Sequence, residues 1–110
     1  MNDFSPQQME ILQRLIAKEF VLVAFPLYAN AVGVRKGTCA ALLNPVANGG
    51  FAILGEPCIL LDGNLTVRIK EKDKTFFVWK KQRLEATAEL VAELEKYVTE
   101  LKLLLEPHLT

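Results

Sequence analysis

The sequence predicts an α+β fold: an N-terminal helix, a five- or six-stranded antiparallel meander sheet, and a long C-terminal helix packed on that sheet. Three observations carry this expectation. A run of strand-like alternation from Leu65 to Trp79 follows the turn residues Asp62, Gly63 and Asn64. From Leu90 onward apolar side chains recur at spacings of three and four, and residues 5 to 20 open with a helix cap and continue at helical spacing. The 110 residues are read as a single domain, because a chain of this length with 51% hydrophobic residues can bury roughly two-thirds of its unfolded surface in one core.

The first helix has a well-marked start. Ser5 is the N-cap, Pro6 sits at the first helical position where a missing N–H costs nothing, and Gln8 completes a capping box. Phe4 and Met9 take the positions of a hydrophobic staple. Met9, Leu12, Ile16 and Phe20, widened by Leu15, make the apolar stripe, and the helix is expected to run to about Phe25, with Pro26 breaking it. Leu27 to Ala31 is read as an irregular, mostly buried connection. Val32 to Arg35 and Thr38 to Leu43 form a hairpin around Lys36 and Gly37. Asn44-Pro45 and Asn48-Gly49-Gly50 bracket a loop, Phe51 to Leu54 is a short strand, and Gly55-Glu56-Pro57 is a turn or bulge before Cys58.

The centre of the sheet is placed at residues 58 to 81. Asp62-Gly63 or Gly63-Asn64 can supply two positive φ angles, the requirement of a type I′ turn, so Cys58 to Leu61 is expected to pair with Leu65 to Lys70 as a hairpin. In that hairpin Leu65, Val67 and Ile69 face the core, while Thr66, Arg68 and Lys70 face water. After a charged turn at residues 71 to 74, Thr75 to Lys81 returns with Phe77 and Trp79 on one face and Phe76 and Val78 on the other. Both faces are apolar, so one packs on helices and the other needs a cover of its own. Beyond Gln82 the period becomes helical: Leu90, Leu94, Tyr97, Leu101 and Leu104 form one row, with Val91, Val98 and Leu105 beside it. Thr87 or Glu85 opens this helix and Pro107 closes it, giving about 30 Å of length. With Leu103 on its otherwise charged side, the helix carries more apolar surface than one contact uses. Leu90, Leu94, Tyr97, Leu101, Leu103 and Leu104 are therefore the candidate homodimer interface.

Catalysis is poorly supplied, and no enzymatic activity is expected. Ser5 is the only serine and is spent as a cap; His108 is the only histidine and lies at the far end of the chain. Cys39 and Cys58, in apolar strands, read as small hydrophobes kept reduced in a cytoplasmic setting, and with one histidine they do not make a four-ligand zinc site. No metal or cofactor is expected. No apolar run approaches the ~20 residues of a membrane span, and a cleaved leader ending at Ala29-Asn30-Ala31 is disfavoured by Glu19 and Pro26 in and beside its apolar run.

Formal net charge is zero, but residues 68 to 83 carry seven basic side chains against two acidic ones, and residues 85 to 106 carry six glutamates against two lysines. The two runs can neutralise one another within the fold or across a dimer. Arg68, Lys70, Phe77, Trp79 and Lys81 form a candidate ligand or nucleic-acid surface, since aromatic rings among cations can stack bases. Strand alternation separates several of these groups, and zero net charge weighs against nucleic acid. The functional expectation is a non-catalytic, homodimerising interaction module. The alternative is a small apolar-ligand-binding domain, its pocket lined from Phe20 to Tyr28 and from Phe76 to Trp79.

Overall fold

The computed structural model describes residues 4–25, 28, 30–47 and 49–105. Pro26, Leu27, Ala29, Asn48, Pro107 and His108, on which some of the expectations above rest, lie outside the described residues. The fold is α+β, with an N-terminal helix, antiparallel strands in meander order and a long C-terminal helix packed on the sheet. Among the described residues the strands number seven and divide between two sheets.

Helix α1 spans Pro6–Ala17 and opens as its sequence dictates. The Ser5 hydroxyl accepts from the Gln8 amide N–H at 3.1 Å, and the Gln8 side-chain carbonyl accepts from the Ser5 N–H at 2.9 Å. Gln8 is buried, and its Nε2 also donates to the carbonyls of Gly50 (3.0 Å) and Val46 (3.3 Å). One side chain thus caps the helix and ties it to the turn between two later strands. Phe4 lies tilted against the Phe51 ring at 5.7 Å, while Met9, its expected staple partner, is exposed.

The helix does not reach Phe25. It stops at Ala17 because Glu19 turns into the left-handed region at φ +71°, letting its N–H bond to the Ile16 carbonyl (3.0 Å) and the Phe20 N–H to the Leu15 carbonyl (2.9 Å). This is a Schellman stop, and the apolar contact that accompanies such motifs falls to Phe20 and Leu15, both buried in the core. The freed chain becomes strand β1, Val21–Val23.

β1 is the first edge of a four-stranded sheet continued by β2 (Val32–Lys36), β3 (Cys39–Pro45) and β4 (Phe51–Ile59). In β4, Ala40 pairs with Cys58 and Leu42 with Leu54, so Gly55, Glu56 and Pro57 bulge out opposite Ala41 alone. A bulge is where a strand tolerates proline, which has no N–H to give the ladder. Gly33 in β2 is required by close approach: a Cβ there would meet the Phe25 ring and the Val23 carbonyl at 2.4 Å. Phe25 therefore lies flush on the sheet. The core forms on the face carrying Val34, Ala41, Leu43 and Ile59, against Ile11 and Leu15 of α1 and the buried row of the last helix.

Asp62 (φ +50°) and Gly63 (φ +77°) adopt the two successive positive angles that the turn chemistry predicts. The expected hairpin nonetheless stops after one bridge, Leu61 with Asn64. The Thr66 hydroxyl donates to the Ile59 carbonyl at 2.5 Å, replacing the next backbone rung, and the chain leaves the first sheet. It builds a second one from β5 (Val67–Glu71), β6 (Lys74–Trp79) and β7 (Gln82–Glu85). β7 stands where the sequence read as an approach to helix. Helix α2, Ala88–Leu105, begins with the Thr87 hydroxyl accepting from the Leu90 N–H at 3.2 Å.

The alternation expected of residues 65 to 70 holds in part: Arg68 and Lys70 are exposed while Leu65 and Ile69 are half-buried, but Thr66 and Val67 exchange places. Thr66 is buried, and Val67 is 66% exposed. Register places Arg68 beside Phe77 and Leu84 on the inner face of the second sheet, and pairs Val67 with Val78 and Ile69 with Phe76 on the outer face. The inner position belongs to Arg68 because its side chain lies over the Phe77 ring, 5.5 Å from guanidinium carbon to ring centre.

Candidate functional site

The apolar row of α2 is used inside the chain. Leu94, Tyr97 and Leu101 are buried in the core, and Leu90 and Leu104 pack against it. The Tyr97 hydroxyl donates to the Val34 carbonyl at 2.7 Å, fixing α2 on β2, and burial raises its pKa strongly. Of the six candidate interface residues on this helix, Leu103 alone is largely exposed.

The candidate basic surface is also dispersed. Phe77 has no exposed surface on which a base could stack. Lys80 reaches over the Trp79 ring at 5.2 Å, as Arg68 does over Phe77, while Lys70 and Lys81 are exposed. Each ring of the proposed platform therefore has a cation of this chain beside it. Lys36 of β2 bonds Glu100 of α2 at 3.0 Å, and Lys74 lies 4.0 Å from Glu85, but no ion pair among the described residues joins α2 to the second sheet. Among the described residues the acidic helix and the basic strands thus meet across a cleft, lined by Glu95 and Arg68, and not through direct ion pairs.

Two features remain open. One is the outer face of the second sheet, where the cross-strand pairs Val67–Val78 and Ile69–Phe76 form an apolar centre. Arg83, opposite Val78, lies over the Phe76 ring at 4.5 Å and is ion-paired with Glu71; Lys74 and Glu85 sit at the same end. The charges on this face are thus two of each sign, already matched. The second feature is a hollow of about 310 Å³ where the sheets meet, walled by Phe25, Tyr28, Leu65, Val67 and Trp79, with Asn64 and Thr66 as its polar groups. It adjoins a smaller hollow of about 170 Å³ through Tyr28, Leu65 and Thr66. A wider cleft of about 490 Å³ between the β4 bulge and α2 differs in character, since Glu56, Arg68 and Glu95 line it.

Cys39 and Cys58 are free and buried. Cys39 is paired across the ladder with Ile59, and Cys58 with Ala40, so the two are one register step apart and point to opposite faces of the sheet. Burial, then the nearby Glu93 and Cys58, push the Cys39 thiol up to about 11, which keeps it protonated at neutral pH. Among the described residues no three His, Cys, Asp or Glu side chains are grouped to hold a metal ion, and no helix is long and apolar enough to cross a membrane.

No protein-family model matches this chain, and neither a curated protein nor a solved structure shows significant similarity to it. Sequence reasoning anticipated part of the hollow, since Phe25, Tyr28 and Trp79 fall in the two ranges named for an apolar pocket. It missed Asn64 and Leu65, which were assigned to a turn and a core-facing strand. The signal that could have found them is the failure of Thr66 to behave as a solvent-facing residue, and that signal is not visible without the fold.

Proposed function

We propose that this protein is a non-catalytic interaction module that forms a homodimer through the outer face of its second sheet. The observation that carries this reading is the pair of apolar cross-strand couples on that face, with Val67 66% exposed at its edge. Ile69, Phe76 and Val78 beside it are half-buried within the chain, and a second copy seated there would cover what they and Val67 still expose. A second copy is the occupant favoured by the charges, because a rim carrying Lys74 and Arg83 with Glu71 and Glu85 is neutral and self-complementary, as an isologous contact requires. The inner apolar row of α2, being absorbed by the core, supports the sheet rather than the helix as the contact. A cytoplasmic site of action fits the reduced cysteines.

Sedimentation at micromolar concentration tests this. The wild-type chain is expected as a dimer, and Val67→Lys as the 12.3 kDa species. A wild-type chain that sediments as that single species ends the proposal. Dissociation by Leu103→Lys, with Val67→Lys still dimeric, moves the contact to α2.

A further inference from the structure

We infer that the hollow beside Trp79 is a binding site for a small neutral aromatic molecule carrying a single O–H or N–H donor. Its walls select the ligand's body. Phe25, Tyr28 and Trp79 bring three aromatic rings to one concavity, and Leu65 and Val67 complete it. Ring-lined hollows favour flat ligands through stacked and edge-to-face contacts. Among the described residues no charged side chain lines it, so a carboxylate or phosphate has no partner in these walls. At about 310 Å³ the hollow is at the small end of ligand pockets, a size suited to one or two fused rings.

The polar groups select the ligand's single donor. The Thr66 hydroxyl gives its proton to the Ile59 carbonyl, so toward a ligand it can only accept. The Asn64 amide nitrogen donates to the Asp62 carbonyl at 3.3 Å, which leaves the side-chain oxygen of Asn64 as an acceptor for a ligand hydroxyl or ring N–H. The site is preformed on one side, because Phe25 is seated against Gly33, where no larger residue fits.

The test uses the full chain, isotopically labelled, and 2-naphthol as probe. Trp79 is the only tryptophan, so its indole N–H gives one unambiguous signal in a nitrogen–proton correlation spectrum. That signal is expected to shift saturably, with a Kd of roughly 0.1 mM for a ligand of this size. 2-Methoxynaphthalene, which keeps the rings and loses the donor, should bind about fivefold more weakly. Asn64→Ala should reduce 2-naphthol to the affinity of the methoxy compound and leave the methoxy compound unchanged. No Trp79 shift at millimolar probe, or equal affinity of the wild-type chain for both compounds, overturns the inference.

Discussion

The two sheets are built from the same antiparallel ladder and differ in what stands on their faces. The first has two helices on one face and holds most of the buried core; its central strand β3 is buried from Cys39 to Leu43. Among the described residues the second has one fully buried side chain, Phe77, an inner face shared with Arg68, and an outer face without a covering element. Stability is therefore concentrated in one sheet and unspent apolar surface in the other. A surface that must open to bind is drawn from the less stable part of a fold.

The sharpest way to break this contrast is Phe77→Ala, expected to cost about 3–5 kcal/mol. Hydrogen exchange should show amides of β5 to β7 losing protection while β2 and β3 retain theirs; equal loss in both sheets would make them one cooperative unit. Tyr97→Phe acts on the other side of the comparison. It removes the bond from α2 to the Val34 carbonyl and should cost about 1 kcal/mol in urea unfolding.

Alkaline titration sharpens the same contrast. The Cys39 thiol, at about 11 in the fold against 9.0 ordinarily, keeps its proton where the unfolded chain has released it. Its contribution is fully present below pH 9 and is lost as pH rises through 11, in the same direction as that of Tyr97. Cys39→Ala should flatten part of that fall in a series of urea midpoints against pH, whereas lysine variants on the second sheet should leave it unchanged. The smallest effect is expected from Glu19→Gly, which relieves a side chain at φ +71° and should stabilise by about 0.5 kcal/mol in the same assay.

That last position also shows where sequence reasoning loses its grip. The start of α1 was legible because Ser5, Pro6 and Gln8 each have one obvious use there. Its end was not, because the left-handed residue that stops it is a glutamate and not the glycine that usually signals such a stop. The Asp62-Gly63 turn was equally legible, yet its flanking strands went to different sheets, because a threonine hydroxyl took the place of a backbone rung. β7 was missed because Gln82, Arg83 and Glu85 leave Leu84 as its only apolar side chain. The period of β5 was correct, and Arg68 and Lys70 are exposed as expected, but Arg68 stands beside Phe77 on the inner face because an arginine stem over a phenylalanine ring can serve there. The apolar row of α2 was read correctly as a row; which partner it serves depends on the length and placement of β3 and β4, and those are tertiary facts.

The bulge at Gly55 to Pro57 has a consequence for the crowded solution. β4 is the outer strand of the first sheet, and nine residues of open ladder are a template on which another chain can pair. With zero formal net charge, the molecule has little electrostatic repulsion to hold copies apart. Gly55, at φ +69°, and Pro57, without an N–H, interrupt that edge, so the uninterrupted stretches are only Phe51 to Leu54 and Cys58 to Ile59. The bulge whose Glu56 and Pro57 shape a wall of the wide cleft thus also keeps the edge too short to seed aggregation.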